Sequence, residues 1–283
     1  PLLKIIILNV RPKKSAKLYK SIWTDQGSPL LAMSKNILQR LKHTFSEDNR
    51  DITFDLGMRY GNPSIKEALQ RFKDKSISKI LVLPLYPQAG SPTTSSTFDA
   101  VSSYLSTQSW TPNLRFISGY HDHKDYIISL SRSIKDSFSK NGKPDKLIFS
   151  YHGMPDRYLQ EGDPYYCFCH KTTRLVAEKL NLNKDHYEMA FQSRFGYEKW
   201  LQPYLDDMIP EMAKNGVNHL QIISPGFSVD CLETLEEINI QYRELFEDNG
   251  GKKFNYIPCL NDSDNQLAMI KNLVLENIKG WDS

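Results

Sequence analysis

The chain has 283 residues, which suggests two domains at about 150 residues each. Hydrophobic residues make up 40% and charged residues 24%, ordinary values for a folded protein that exclude collagen-like and disordered chains. A formal net charge of +3 is too weak to argue for a nucleic-acid partner, and four cysteines are too few for a disulfide scaffold, so a reducing compartment is expected.

Residues 1–10 lack the features of a signal peptide, and no apolar run approaches the roughly 20 residues of a spanning helix. The basic run Arg11, Lys13, Lys14, Lys17 and Lys20 reads either as a solvated face or as a contact for an anionic membrane surface. Beyond it, short apolar runs at 52–58, 79–85, 114–118, 146–150, 187–192, 219–223 and 254–258 predict strands. Helical periodicity at 28–43, 64–73, 94–105, 124–139, 172–180, 201–215 and 231–247 fills the intervals. This alternation is the mark of parallel βαβ units, so the fold class is α/β with parallel sheets flanked by helices. Asn141-Gly142-Lys143-Pro144 interrupts the pattern, which puts a crossover between two halves within 120–144.

In such sheets ligands bind beyond the carboxyl ends of the strands. That rule selects the turns at 59–63, 86–92, 151–155 and 224–227, three of which carry a Tyr and one a His. Aromatic walls with a few polar groups suit a large flat ligand better than a phosphate ester, and no glycine-rich nucleotide motif follows any predicted strand. His152 in the third turn can ligate a metal or accept a proton, and Gly153 beside it leaves room for close approach to the backbone. On an ideal helix Asp230, Glu233 and Glu237 form one acidic stripe opposite Leu232, Leu235, Ile238, Tyr242 and Leu245. That stripe is either a wet helix face or, if it meets the His152 crevice, a cluster needing a cation or protons to offset its repulsion. Cys167-Phe168-Cys169-His170 lacks the spacing and the partner pair of a zinc site, so free thiols are expected. Trp200 fits a core residue and a flat wall equally well.

Five ordered motifs carry a resemblance: RPKKSAKLYKSIWTDQGSPL at 11–30, LPLYPQAGSPTTSST at 83–97, SYHGMPDRYLQEGDPYY at 150–166, FQSRFGYEKWLQP at 191–203 and SPGFSVDCLETLEEI at 224–238. Together they resemble the ferrochelatases, particularly the proteobacterial ones, which insert ferrous iron into a porphyrin. The resemblance implies two Rossmann-like lobes with a cleft between them. The first spans 1–125 and is completed by 262–283, with a C-terminal helix over 265–280; the second spans 126–261. It implies His152 and Glu233 as catalytic and metal-meeting residues, with Asp230 and Glu237 beside them. Arg59, Tyr60, Tyr86, Met154, Trp200 and Pro225 are implied to line the porphyrin pocket, and the acidic helix is implied to contain a π-type turn.

The family's opening strand, reading like LLVNLGTP, has no counterpart before Arg11, so a missing upstream segment is expected. Residues 1–10 then belong to a hydrophobic lip at the membrane. The resemblance further implies porphyrin and Fe²⁺ as partners, with iron a substrate and no resident cofactor. No iron-sulfur cluster is expected, because the cysteine-bearing tail of animal members is absent. A cytoplasmic protein with peripheral contact at the inner membrane follows. Which of His152 and Glu233 is base and which is ligand stays open. Rival readings are a cobalt or nickel chelatase, a heme or metal carrier, and a structural metalloprotein built on Cys167, Cys169 and His170.

Overall fold

A computed structural model describes residues 18–48 and 50–281, and in it six strands form two sheets in which every pairing is parallel. In the smaller sheet β1 (Lys79–Val82) pairs with β2 (Asn113–Phe116). The larger sheet runs β4-β3-β5-β6, from β3 (Lys146–His152), β4 (Tyr187–Gln192), β5 (His219–Ile223) and β6 (Lys253–Ile257). The expected ranges 1–10 and the basic residues Arg11, Lys13, Lys14 and Lys17 lie outside the described residues.

Beside a helical segment at 18–22, nine α-helices precede, connect and follow these strands among the described residues. They are α1 (Pro29–Glu47), α2 (Ile65–Asp74), α3 (Ser96–Leu105), α4 (Lys124–Asn141), α5 (Asp156–Gln160), α6 (Tyr165–Leu180), α7 (Leu205–Lys214), α8 (Arg243–Asp248) and α9 (Asp264–Asn277). Two π-helical segments, Ser91–Ser95 and Glu233–Tyr242, run directly into α3 and α8. Serine caps start three of the helices: Ser28 and Ser263 accept from backbone N–H groups of α1 and α9, and Ser64 forms a reciprocal capping box with Glu67 on α2.

Strand β3 explains where the core sits. Residues 147–151 are all buried, as expected for a central parallel strand covered on both faces. Leu147, Phe149 and Tyr151 face α4, α6 and α9 with Tyr126, Ile134, Val176 and Ile270, whereas Ile148 faces Leu205, Ile209, Ile238 and Phe246. The C-terminal helix α9 packs on both α1 and α4. Ion pairs Lys271–Asp48 at 2.6 Å and Arg40–Asp264 at 2.5 Å tie it to α1, and Arg115 donates to the carbonyls of Asn277 and Lys279 just past its end.

Most expected elements form within a few residues of their boundaries, with informative exceptions. The range 52–58 makes no strand; its only ladder contact among the described residues is a bridge from Met58 to Ser64. The apolar alternation is present, and Phe54 packs on Phe45 at 4.9 Å between ring centres. Alternation holds a backbone extended against a helix, but a strand also needs a neighbour for its N–H and C=O groups. Helix α6 begins at Tyr165, seven residues before the expected start, and the helical turn preceding α3 begins at Ser91. The expected crossover window opens where residues 117–123 carry the chain from β2 to α4.

Asp145 sets the start of β3 against β5. Its N–H donates to the His219 carbonyl at 2.9 Å, and its carboxylate accepts from the N–H groups of Asn218 at 2.9 Å and His219 at 2.8 Å. These bonds, that of His219 first, hold the Asp145 carboxyl below the usual range. A lowered folded value gives stability that is complete above about pH 4 and lost as pH falls through the folded value. Asp145→Ala should cost no more than about 1 kcal/mol at pH 7, since the side chain is exposed. Urea titrations should show the difference from wild type shrinking as pH drops below 4; a gap that persists in acid would contradict this role.

Candidate active site

Because β3, β4 and β5 are parallel, their carboxyl ends open on the same side, and the turns that follow them meet there. His152 ends β3 and lies in register with Gln192, the last residue of β4. His152 Nδ1 sits 2.6 Å from the Gly153 carbonyl oxygen. A carbonyl only accepts, so in the neutral ring it is Nδ1 that carries the proton and Nε2 the lone pair. The Phe227 ring stands 6.4 Å from the imidazole, and Tyr165 Oη donates to the His152 carbonyl at 3.0 Å.

The space beside Gly153 is taken by the protein and not by a ligand. A Cβ there would lie 2.8 Å from the Gln192 carbonyl oxygen and 3.0 Å from Trp200 Cε3. Trp200 itself is only 5% exposed, packed between this turn and Phe195. Met154 and Pro225 are buried as well: Met154 accepts from the Leu201 N–H at 2.9 Å, and the Pro225 carbonyl accepts from the Tyr126 hydroxyl. These three residues brace the turns from behind.

The acidic residues separate into two kinds. Glu233–Tyr242 is wound as a π-helix, so the single ideal-helix stripe does not exist, and Asp230 stands ahead of it in the turn. Asp230 accepts from Thr234 Oγ1 at 3.0 Å, Tyr256 Oη at 2.6 Å, the Cys259 N–H at 3.3 Å and Asn261 Nδ2 at 2.7 Å. Glu237 accepts from Gln192 Nε2 at 3.1 Å, from Ser193 N at 2.8 Å and Oγ at 2.5 Å, and from Tyr242 Oη at 3.2 Å. A carboxylate offers about four lone-pair positions, so both are filled by protein donors. These N–H and O–H groups offset the charge of Asp230 and Glu237. Among the described residues no three His, Cys, Asp or Glu side chains converge as a metal cage.

Glu233 differs. Its carboxylate is half-buried and meets the thiol of Cys231, while its backbone carbonyl accepts from Gln192 Nε2 at 2.9 Å. Gln192 is thus the physical link between His152, its ladder neighbour, and both Glu233 and Glu237. Ser150 Oγ holds the other end of that amide at 2.7 Å, which fixes its orientation. Burial, and then the nearby Glu233, push the Cys231 thiol up, so the sulfur stays protonated and donates.

The other wall comes from the half of the chain holding β1. Arg59 donates from Nε to the Ser96 carbonyl at 2.9 Å and to Ser96 Oγ at 2.8 Å, and its guanidinium stacks 4.6 Å from the centre of the Tyr60 ring. Tyr60 is 74% exposed. Burial raises the Tyr86 phenol's pKa, and Tyr60, Cys231 and Glu233 push the same way against Arg59. Burial, then Glu233 and Cys231, raise that of Tyr19. Tyr19, Tyr86 and Glu233 therefore share one electrostatic neighbourhood although they come from opposite ends of the sequence. Sequence reading missed Tyr19, Gln192, Ser193 and Tyr165 as contributors. The 192–193 turn followed a predicted strand, but with neither Tyr nor His it drew no attention.

The early start of α6 separates the thiols of the Cys-Phe-Cys-His run. Residues two apart on a helix point to opposite sides. Accordingly Cys169 is buried beside Tyr151 and Tyr165, and Cys167 is exposed. His170 meets only the edge of the Tyr166 ring, at 4.5 Å, so a structural metal site on these residues gains no support.

Parallel sheets in two halves, with an imidazole and an open carboxylate at the strand ends, define a protein of the chelatase fold. The Bacillus subtilis SirB structure with Fe³⁺ superposes with a TM-score of 0.65 over 89% of this chain and 90% of that one, at 11% identity, which bears on the fold alone. Sequence similarity is far closer. The ferrochelatase family model matches residues 1–278. Ferrochelatase 2 of Shewanella oneidensis is 52% identical over 95% of this chain and 82% of its own length; the ferrochelatase of Hydrogenovibrio crunogenus is 48% identical over 99% and 75%. The chain belongs to the ferrochelatase family. It is a porphyrin metal chelatase that inserts iron into protoporphyrin in heme synthesis, with porphyrin and iron as its substrates.

Gly153 offers a direct check on this geometry. Gly153→Ala should force the Gln192 strand end or the Trp200 ring aside, at a cost of about 1–3 kcal/mol, and should reduce iron insertion at least tenfold. A variant with unchanged melting temperature and turnover would show that the turn has slack.

Proposed function

We propose that His152 takes up the two pyrrole protons one after the other, releasing each to water, and that Glu233 meets the incoming ferrous ion. Insertion requires two N–H protons to leave the macrocycle and the nitrogen lone pairs to turn toward the metal. With Nδ1 committed to the Gly153 carbonyl, His152 offers Nε2 as the proton acceptor. Glu233, the carboxylate of the three whose oxygens are not filled by protein donors, suits a borderline cation that is to be passed on and not kept. Asp230 and Glu237 then hold the π-helix in place. The observation carrying this reading is the Gln192 amide, which couples the strand end bearing His152 to the helix bearing Glu233.

The walls supply orientation and strain. Arg59 has one edge fixed on Ser96 and the other without a partner among the described residues, which suits a bidentate pair with a porphyrin propionate. Tyr60 and Tyr86 would pack the ring, with Met154, Trp200 and Pro225 stiffening the turns behind. A rigid pocket of this kind can hold the macrocycle bent, exposing its nitrogen lone pairs at the expense of peripheral binding energy. Iron enters as a substrate, and no resident cofactor is needed for these steps.

We further propose a first lobe of 1–125 completed by 262–283, a second lobe of 126–261, and a cytoplasmic enzyme that touches the inner membrane peripherally. No helix among the described residues is long and apolar enough to cross a membrane. Trp23 at 58% exposure and Tyr19 at 38% pack edge to face beside the exposed Lys20, an amphipathic lip suited to an anionic surface. Trp23→Ser should weaken cosedimentation with anionic vesicles at least threefold and leave turnover on detergent-solubilised porphyrin unchanged; equal cosedimentation would remove this contact.

His152→Ala should lower turnover by at least about 100-fold, within the range a general base supplies, while porphyrin binding by fluorescence quenching stays within a few fold. Glu233→Gln should raise the apparent KM for Fe²⁺ and cut turnover with little change in melting temperature. Near-normal turnover by the first variant, or a collapse of stability in the second, would reverse these assignments.

A further inference from the structure

The helical stretch 91–105 starts without a cap of its own. Gly90 at its N-cap offers no side chain, and the N–H groups of Thr93, Thr94 and Ser95 all turn back to the Gly90 carbonyl. Pro92 has no N–H, which leaves that of Ser91 as the unsatisfied donor of this turn. It is taken by Asp163, from far along the chain: Ser91 N donates to Asp163 Oδ2 at 2.6 Å. The same carboxylate accepts the N–H of Tyr165 on Oδ1 at 2.9 Å, the first residue of α6, whose own N-cap Pro164 also supplies no side-chain bond. One carboxylate, 8% exposed, therefore caps two helices that belong to the two halves of the molecule. Its charge is favourable at both N-termini. Close packing accompanies the bonds, since a Cβ on Gly90 would stand 3.3 Å from Tyr165 Cβ.

Each capped helix leads to one side of the cleft. Ser96, one turn into the first helix, holds Arg59 through its carbonyl and hydroxyl. Tyr165, the first residue of the second, donates its hydroxyl to the His152 carbonyl at 3.0 Å. We propose that Asp163 is a positioning residue for iron insertion, a clamp that fixes the span between the Arg59 wall and the His152 turn. The proposal rests on the roles given above to Arg59 and His152. A macrocycle anchored at its periphery by Arg59 has its centre at a set distance from that anchor, and the clamp matches His152 to that distance. Opening the cleft requires Ser91 N to leave Asp163, which exposes a buried carboxylate and an uncapped helix and so favours the closed spacing.

The test removes the bond from either side. Asp163→Asn keeps the shape but leaves an amide that accepts through one oxygen only. Ser91→Pro deletes the donor alone: Gly90 lies at φ −162° and ψ 158°, the extended backbone that precedes proline comfortably, and proline is favoured at a first helical position. Both variants should raise the porphyrin KM at least threefold and lower kcat. Nitroxide pairs placed at the exposed residues Lys66 on α2 and Glu211 on α7, in a Cys167→Ser background, should report a broadened and lengthened distance distribution by pulsed electron resonance. The double variant should be no worse than the more affected single one. Tyr165→Phe should leave the distances alone and lower kcat at least threefold without moving KM.

Unchanged KM and distances in both clamp variants, or purely additive losses, would overturn the proposal, as would a fall in melting temperature with kinetics intact. Full turnover by Tyr165→Phe would cut the connection to His152. His152→Ala distinguishes the two readings. Turnover retained there would sink the catalytic assignment, while the distance measurements would still decide whether Asp163 clamps the halves.

Discussion

Parallel pairing of β3 between β4 and β5 is the constraint on which the site depends. Parallel strands end on the same side of a sheet, so turns distant in sequence are delivered to one place without any contact between them being specified. Register does the fine positioning. With His152 opposite Gln192 in the ladder, a shift of β3 by one residue would turn His152 to the opposite face, away from the side chain of Gln192 that bonds the π-helix. The near-complete burial of β3 makes such a shift costly, because it would exchange Phe149 and Tyr151 with Ile148 and Ser150 between two differently shaped cores.

On that frame the electrostatics of the acidic residues follow from hydrogen-bond supply. Three carboxylates near one cleft repel one another, and the fold surrounds two of them with hydrogen-bond donors. Asp230 is held by Thr234, Tyr256, Cys259 and Asn261, and Glu237 by Gln192, Ser193 and Tyr242. Ser193 adopts a left-handed backbone, φ 63°, to bring both its N–H and its hydroxyl onto Glu237. A non-glycine residue in that region carries local strain, and the two bonds it makes to one carboxylate are the compensation. What remains open is Glu233, with the thiol of Cys231 beside it.

Much of this was legible in the sequence because strand alternation, turn chemistry and helix periodicity are local. Six of seven expected strands form, and the turn selected after 146–150 does put His152 at the carboxyl end of β3, in register with Gln192. The failures share a cause, which is dependence on a partner that local pattern does not name. The 52–58 segment has the alternation of a strand but finds no ladder among the described residues. Gly153 reads as room for a ligand until Trp200, from 47 positions further on, is seen to fill it. On an ideal helix Asp230, Glu233 and Glu237 share one stripe, until Tyr256 of β6 and Gln192 of β4 are seen to donate to two of them. The motif resemblance found the family and singled out Glu233, whereas the donors that hold Asp230 and Glu237 emerged only from tertiary contacts.

A reaction centred in a flat, rigid ring places an unusual demand on a two-part cleft. The ring's periphery must be held by one wall while the atoms that change bonding, at its centre, are served by the other, so the rate depends on the distance between walls as much as on either wall alone. Hydrophobic contact between the halves cannot set that distance closely, because apolar packing is nearly indifferent to small sliding. Directional bonds can, and they sit at the points where the halves meet. Asp163 spans Ser91 and Tyr165, Tyr120 Oη meets Ser228 Oγ at 2.7 Å, and Gln88 Nε2 donates to Thr172 Oγ1 at 2.9 Å. All three are buried or nearly so, where an unmade hydrogen bond costs more than a made one gains. That asymmetry favours a single spacing over a continuum, which is what a centre-to-edge measurement of the substrate requires.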